Sequence, residues 1–284
     1  MISKRVKLDF GKKKFVEVLI SACKHYGQPS TDYDAIAGFI KKAKKKYWLD
    51  LGDQIEAITP SDRRRYSIGE HTTPVTEQMD DVVQMHKPAA KTCLGFIKGN
   101  HENSISKEFG DVSAQMAKRT GVPYLGMAAF LDLVCPKGVF QMYAAHGSKG
   151  FGGVAGDPER IKLNREIKLR NSNKQFTADL VAVAHGHTSV ICPPVFKMRL
   201  GSIDNKIKMS PVAVDKTWYS ANPAFFKTYA DNNLEGSYGE LAQYSPTHIG
   251  YHSAIIESDG TCSRMIQYGG DGEIISERVP NYIQ

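Results

Sequence analysis

The feature of this sequence that most restricts its fold is a series of short apolar segments with His, Asp or Asn at or just after the end of each. Five such segments are interpreted as buried β-strands, at residues 15–22, 47–53, 92–100, 139–147 and 179–187. Segments between several of them are amphipathic and are interpreted as helices, at residues 31–46, 73–88 and 113–121. Strands that alternate with helices in this way predict a layered α/β fold.

The last third of the sequence lacks this alternation. Residues 194–250 contain many Asn, Ser, Tyr and Lys residues and few clean helical patterns. The segments 253–260 and 263–270 have the pattern of a closing hairpin. We therefore predict a single domain over residues 1–284, in which residues 194–250 form an irregular cap or accessory region.

Composition favours an anionic partner. The 284 residues carry a net charge of +7, and nucleic acid is the commonest polyanion that such a chain meets. A solvated lysine surface would explain the same charge. No apolar run approaches the length of a membrane span, and the N-terminal residues lack the apolar core of a secretory signal. Five scattered cysteines without a CxxC pair indicate a reducing compartment, so we expect a cytoplasmic protein, in the host cytoplasm if the chain is viral.

Polar residues at the strand ends are candidate metal ligands. The carboxyl ends of strands in an open α/β sheet converge on one crevice, so we expect these side chains to meet. Imidazole nitrogens, a carboxylate and an amide oxygen are ligands for Zn, Mn or Fe. The candidates are His25, Asp53, Asn100, His146, His185 and His187.

The segments around these residues resemble the signature of the calcineurin-like metallophosphoesterases. That signature runs D-x-H, G-D, G-N-H-[D/E], a lone H and G-H-x-H. The corresponding segments here are CKH, LGDQIE, KGNHEN, AAHGS and AVAHGHT, and the resemblance spans about residues 15–190. In detail it is most similar to members found in bacterial viruses and prophages. The resemblance implies a metallophosphoesterase four-layer αββα sandwich with two mixed sheets, and two divalent metal ions of Mn, Zn or Fe.

The resemblance also implies a role for each matching residue. Asp53 would bridge the two metal ions. His25 and His187 would bind the first metal ion, and the ligands of the second would be Asn100, His146 and His185. His101 matches the histidine that contacts the phosphate and assists the leaving group without binding metal, so it is the candidate catalytic residue. Glu102 is expected to support its loop.

Two positions depart from the signature. Cys23 stands where D-x-H has its aspartate. Its thiolate could bind the first metal ion and would favour Zn or Fe; alternatively, Cys23 is a small buried apolar residue and that metal position is weak or absent. The last block begins with Ala184 instead of Gly, and an alignment shifted by two residues would put Ser189 in place of the second histidine. We prefer the alignment that keeps both histidines.

Together these features predict an intracellular hydrolase that cleaves phosphodiester bonds, with DNA or RNA as candidate substrates. Arg63, Arg64 and Arg65 follow the Asp53 block and are the predicted substrate-binding residues. Two alternatives are a phosphodiesterase or phosphomonoesterase that acts on small molecules, and a pseudoenzyme that only binds metal or nucleic acid. The substitution at Cys23 motivates the second alternative.

Overall fold

A computed structural model describes residues 1–59, 62, 73–148, 150, 156–203, 206–229, 240, 243 and 245–280. Its strands are β1 Ile2–Lys7, β2 Phe15–Ser21, β3 Tyr47–Asp50, β4 Cys93–Phe96, β5 Ala128–Val134, β6 Val139–Ala145, β7 Leu180–Val183, β8 Val190–Cys192, β9 Val195–Ile203, β10 Lys206–Asp215, β11 Trp218–Ala221, β12 Gly250–Glu257, β13 Cys262–Gly269 and β14 Ile274–Arg278. Its helices are α1 Tyr33–Ala43, α2 Val75–His86, α3 Asn100–Ser104, α4 Ser106–Phe109, α5 Val112–Thr120 and α6 Pro158–Asn173, with a 3₁₀ helix at Lys87–Thr92.

Two mixed sheets contain most of these strands. The first has the order β1-β5-β6-β7-β11-β8 and the second the order β14-β13-β12-β2-β3-β4. Strands β2, β3 and β4 are parallel neighbours, and β6 is parallel to β7. The segments that follow the carboxyl ends of β2, β3, β4, β6 and β7 carry all the candidate ligands. Strands β12 and β13 form the predicted closing hairpin.

Three apolar clusters hold the layers together. Side chains from both sheets, among them Ile20 and Leu131, fill the space between them. A second cluster, which includes Phe39, packs α1, α2 and α5 against the outer face of the second sheet. Leu169 of α6 packs against the outer face of the first sheet. The order helix, sheet, sheet, helix confirms the predicted four-layer αββα sandwich with two mixed sheets.

Local capping sets the ends of the predicted helices. The Asp32 side chain accepts a hydrogen bond from the Ala35 amide, so α1 begins at Tyr33 and not two residues earlier. Gly121 adopts a left-handed conformation with φ of 81° and ends α5. No helix in the described ranges combines the length and apolar character that crossing a membrane requires.

The region 194–250 differs from the irregular cap that the sequence predicts. Its described part contains a two-stranded antiparallel ribbon, β9 with β10, and the strand β11. Strand β11 lies inside the first sheet between β7 and β8, and all four of its residues are buried. The ribbon leaves apolar side chains such as Val195 and Leu200 exposed. Because such apolar residues are exposed, the spacing of apolar residues in the sequence does not predict the ribbon.

Candidate metal centre

All six predicted ligands meet in one cleft at the carboxyl ends of the strands. The Nε2 atoms of His25 and His187 are 3.1 Å apart. The Asn100 Oδ1 atom lies 2.9 Å from His146 Nε2 and 2.7 Å from His185 Nδ1. These contacts divide the residues into the same two sets that the family resemblance implies. Their binding of metal stays a prediction.

Asp53 lies beside the second set. Its Oδ2 atom is 2.9 Å from His146 Nε2, and its Oδ1 atom accepts a hydrogen bond of 3.0 Å from the His101 amide. Burial alone would raise the pKa of the Asp53 carboxyl. The nearby His146 and His101 outweigh burial and hold this pKa well below its usual range. Asp53 is therefore a carboxylate in the folded protein.

Hydrogen bonds on the far side of each ring fix which nitrogen faces the cleft. His25 Nδ1 donates to the Glu56 carboxylate at 2.8 Å, and His146 Nδ1 donates to the Leu51 carbonyl at 2.8 Å. In the neutral form of each ring, Nε2 then presents a lone pair to the cleft. Carboxylates and carbonyls commonly orient metal-binding histidines in this way.

The donor set fits a divalent cation. When His146 is neutral, its Nε2 atom, the Asn100 oxygen and the Asp53 carboxylate are all acceptors, and they face one another at about hydrogen-bond distance. A proton or a metal ion must lie among them, because acceptors alone would repel one another. Nitrogen and oxygen donors of these types suit Zn, Mn or Fe.

The inner wall of the cleft is buried and its mouth is open. His25, Asp53 and His146 are at most 2% exposed, whereas Asn100 is exposed and both His185 and His187 are partly exposed. A ligand can therefore approach the metal positions from the side of these three residues.

The structure places both histidines of the last block in the cleft. Ser189 makes a different contact, with its Oγ atom 2.8 Å from His252 Nε2. This arrangement agrees with the alignment that assigns His185 and His187 as ligands and disfavours the alternative shifted by two residues.

Cys23 lies between the two sets of ligands. Its side chain is fully buried, and its sulfur is within 4.8 Å of the ligand atoms of His25 and His187 and also of those of Asp53 and His146. Burial, followed by the charge of Asp53, raises the pKa of this thiol well above its usual value. The position suits a ligand and the burial suits a core residue, so both sequence-based alternatives stay open.

Strained backbone conformations concentrate in the cleft. Five of the seven non-glycine residues with positive φ in the described ranges belong to it, namely Cys23, His25, Asp53, His185 and His187. Such conformations cost free energy and persist where tertiary contacts enforce them, commonly at functional sites.

The glycines of the GD and GNH segments permit a close approach of two loops. A Cβ atom on Gly99 would lie 2.2 Å from the Asp53 amide nitrogen, and one on Gly52 would lie 2.5 Å from the Gly99 amide nitrogen. Gly52 also has φ of 94°. Only glycine at these two positions lets Asp53 and the Asn100–His101 segment meet.

Comparisons with known proteins give distant structural likenesses. No family model matches the sequence, and no curated protein matches it. Among solved structures, the chain is similar to the phosphoesterase YfcE from E. coli, at 11% identity and a TM-score of 0.46, over 94% of this chain and 100% of that one. It is also similar to zinc-complexed Vps29 from Entamoeba histolytica, at 11% identity and a TM-score of 0.40, over 93% of this chain and 99% of that one. PhoD is similar at 12% identity and a TM-score of 0.40, over 96% of this chain and 74% of that one.

Glu102 connects the loop after β3 to the segment after β4 through hydrogen bonds, in agreement with its predicted supporting role. Its carboxylate accepts hydrogen bonds from the amides of Gln54, Ile55 and Gly99, at 2.6, 3.1 and 2.9 Å. Burial and the neighbouring Asp53 raise the pKa of Glu102 to about 7, against the backbone donors that favour the charged form.

His101 lies at the edge of the cleft and is oriented by a backbone contact. Its Nδ1 atom donates to the Glu56 carbonyl at 2.6 Å, and its Nε2 atom is 3.9 Å from Asp53 Oδ2. The ligand atoms of His25, Glu56 and His101 also fall within 4.8 Å of one another. Hydrogen bonds of both rings to Glu56 account for that proximity.

Two supporting features were not predicted from the sequence. Glu56 contacts both His25 and His101. In the sequence, only its position three residues after Asp53 could have indicated a role at the site. Lys24 is fully buried behind the cleft, where its Nζ atom pairs with Asp50 and donates to Ser21 Oγ. The sequence does not indicate that Lys24, which lies between Cys23 and His25, has a buried side chain. The predicted Arg63, Arg64 and Arg65 lie outside the described residues.

Proposed function

We propose that this protein is a metal-dependent phosphoesterase that hydrolyses phosphodiester bonds. The observation that supports the proposal is the convergence of two ligand sets, with Asp53 beside the second, on a cleft with a buried wall and an open mouth. We propose two metal positions, one at His25 and His187 and the other at Asn100, His146 and His185, with Cys23 able to reach both.

The residues of the cleft suit the hydrolysis of a phosphate ester. Bound divalent ions polarise phosphoryl oxygens and acidify a bound water. His25 and His146 present Nε2 to these positions, since Glu56 and Leu51 hold their Nδ1 protons. His101 is fixed in the same way through the Glu56 carbonyl, so its Nε2 can carry a proton at the edge of the cleft. There it can offset negative charge or protonate a leaving oxygen.

We propose nucleic acid as the substrate class. The net charge of +7 and the three consecutive arginines after the Asp53 block support a polyanion. The resemblance of the sequence blocks to those of family members from bacterial viruses further supports this proposal. All five cysteines are free and buried, which supports a reducing compartment such as the cytoplasm.

Metal content and diesterase activity, measured together, test the proposal. The protein purified without chelator should contain stoichiometric Mn, Zn or Fe and should hydrolyse bis-p-nitrophenyl phosphate. Asp53→Asn should lose both metal and activity, because its carboxylate is the only one that contacts the second ligand set among the described residues. Asp80→Asn is the matched control, since Asp80 is an exposed carboxylate that pairs with Arg119.

The outcomes separate the candidate functions. Hydrolysis of DNA or RNA by the wild type supports the nuclease assignment, and hydrolysis restricted to small diesters or monoesters supports an enzyme for small molecules. Metal binding without hydrolysis under any divalent cation would contradict the proposed activity and indicate a pseudoenzyme.

A further inference from the structure

A second polar cavity lies away from the metal centre, at one end of the sandwich. Its volume is about 230 Å³. It opens where the edge strand β8 of the first sheet and the edge strand β14 of the second come near α6. The residues that matter in its wall are Lys162, Arg165, Glu166, Gln267, Ser276 and Arg278.

Two buried donors in this wall lack an acceptor. Gln267 is only 8% exposed, and its Nε2 atom has no hydrogen-bond partner among the described residues. The Gln267 Oε1 atom is already used, because it accepts a hydrogen bond of 3.3 Å from Ser276 Oγ. The Nε atom of Arg165 is likewise buried without a partner in the described structure. Leaving such a donor unpaired costs about 1–3 kcal/mol, so two of them in one cavity indicate a missing acceptor.

The charge of the wall indicates what kind of acceptor is missing. Lys162, Arg165 and Arg278 contribute three positive charges, and Glu166 contributes one negative charge. None of the three cations forms an ion pair with another described residue. Water could satisfy the two donors but would not form an ion pair with these cations. An oxyanion satisfies the donors and the charge together.

We infer that this cavity binds a phosphate-type oxyanion, either free phosphate or the phosphate group of a small molecule. The planar donors of Arg165 and Arg278 match the oxygens of such a group, and the buried Gln267 amide in the wall supplies a further donor. The inference does not depend on the proposed phosphoesterase activity. It uses none of the residues assigned to the metal centre.

Titration calorimetry with inorganic phosphate tests the inference. Phosphate could also bind at the metal centre, so the full chain is first treated with chelator, and Asp53→Asn provides a second background without that centre. Ionic strength is held constant with chloride. We expect saturable binding of one phosphate per chain in both backgrounds. Arg278→Gln and Gln267→Met should each weaken it about tenfold or more, the effect of losing one hydrogen bond to a charged group.

Arg264→Gln is the matched control. Arg264 is on the neighbouring strand β13, is partly exposed and pairs with Glu277, so its loss removes the same charge without touching the cavity. Circular dichroism should show that each variant is folded. The inference is overturned if phosphate does not saturate, if Arg264→Gln weakens binding as much as Arg278→Gln, or if acetate binds as tightly as phosphate.

Discussion

At the scale of single residues, the orientation of each imidazole in the cleft is set by the group that accepts a hydrogen bond from its Nδ1 atom. Glu56 accepts from both His25 and His101, and the Leu51 carbonyl accepts from His146. These contacts set the tautomer of each ring and so decide which side chains present a lone pair. The sequence predicted the imidazoles but not their partners, because two of the three partners are backbone carbonyls, which leave no residue-type signal.

His101 is expected to act in turnover and not in metal binding. Its ring is held by the Glu56 carbonyl and stands at the edge of the two ligand sets. His101→Ala should retain the metal content of the wild type and lower kcat by about 10²–10⁴, the usual contribution of a positioned acid or base. Metal analysis and diesterase kinetics on the same preparation check this. An equal loss of metal would instead identify His101 as a ligand.

Cys23 is the residue at which the sequence and the family pattern disagree. If its thiolate binds metal, the protein should retain Zn or Fe in preference to Mg, and Cys23→Ala should lose metal at the His25 position. Cys23→Asp should shift activity towards Mn or Mg, because it supplies the oxygen ligand of the family pattern. Metal stoichiometry and activity of the three proteins side by side check this. Identical values in all three would make Cys23 a packing residue.

At the scale of elements, the sequence predicted best those helices that bury one face. Helix α1 buries Ile36, Phe39 and Ile40 at helical spacing. Helix α6 gave no such signal, since only Leu169 and Asn173 are buried along its sixteen residues. The ribbon β9–β10 was not predicted either, because apolar side chains such as Leu200 and Met209 are exposed, so the spacing of its apolar residues does not indicate a buried face.

The carboxyl end of α2 makes the stability depend on pH. His86 is fully buried and stacks on Trp48, with ring centroids 5.6 Å apart. Burial, with a smaller contribution from the charge of Lys24, lowers the pKa of His86 from 6.5 to about 3. Between these values the unfolded chain binds a proton that the folded protein does not. The stabilisation is therefore complete above about pH 6.5 and is lost as the pH falls towards 3, by up to about 1.4 kcal/mol per pH unit.

Replacement of His86 should flatten this dependence. In His86→Gln, the free energy of unfolding from urea titrations should change less between about pH 4.5 and pH 6.5 than in the wild type. Gln84→Ala, at an exposed residue of the same helix without a titratable side chain, is the control and should leave the slope unchanged. A slope in His86→Gln equal to that of the wild type would show that His86 does not carry the effect.

At the scale of the whole molecule, the convergence of the site could be predicted because it follows from strand direction. Parallel strands bring their carboxyl ends to one edge, so His25, Asp53 and Asn100 had to lie near one another once β2, β3 and β4 were neighbours. The left-handed conformations of Cys23, His25 and Asp53 could not be predicted in the same way. They depend on contacts between loops that are distant in sequence.

Charge is also a property of the whole molecule, and its placement decides the substrate proposal. If Arg63, Arg64 and Arg65 contact nucleic acid beside the cleft, replacing all three with Ala should weaken DNA or RNA binding and flatten its dependence on salt. The matched control replaces Lys12, Lys13 and Lys14, an exposed cluster before β2 with the same total charge. That cluster lies at the opposite end of the seven-residue strand β2 from the cleft, roughly 20 Å away. Affinity measured by fluorescence anisotropy across a salt series should fall for the arginine variant more than for the lysine variant. Equal losses of affinity in the two variants would indicate a diffuse effect of net charge. Unchanged affinity in the arginine variant would show that these arginines do not contact nucleic acid.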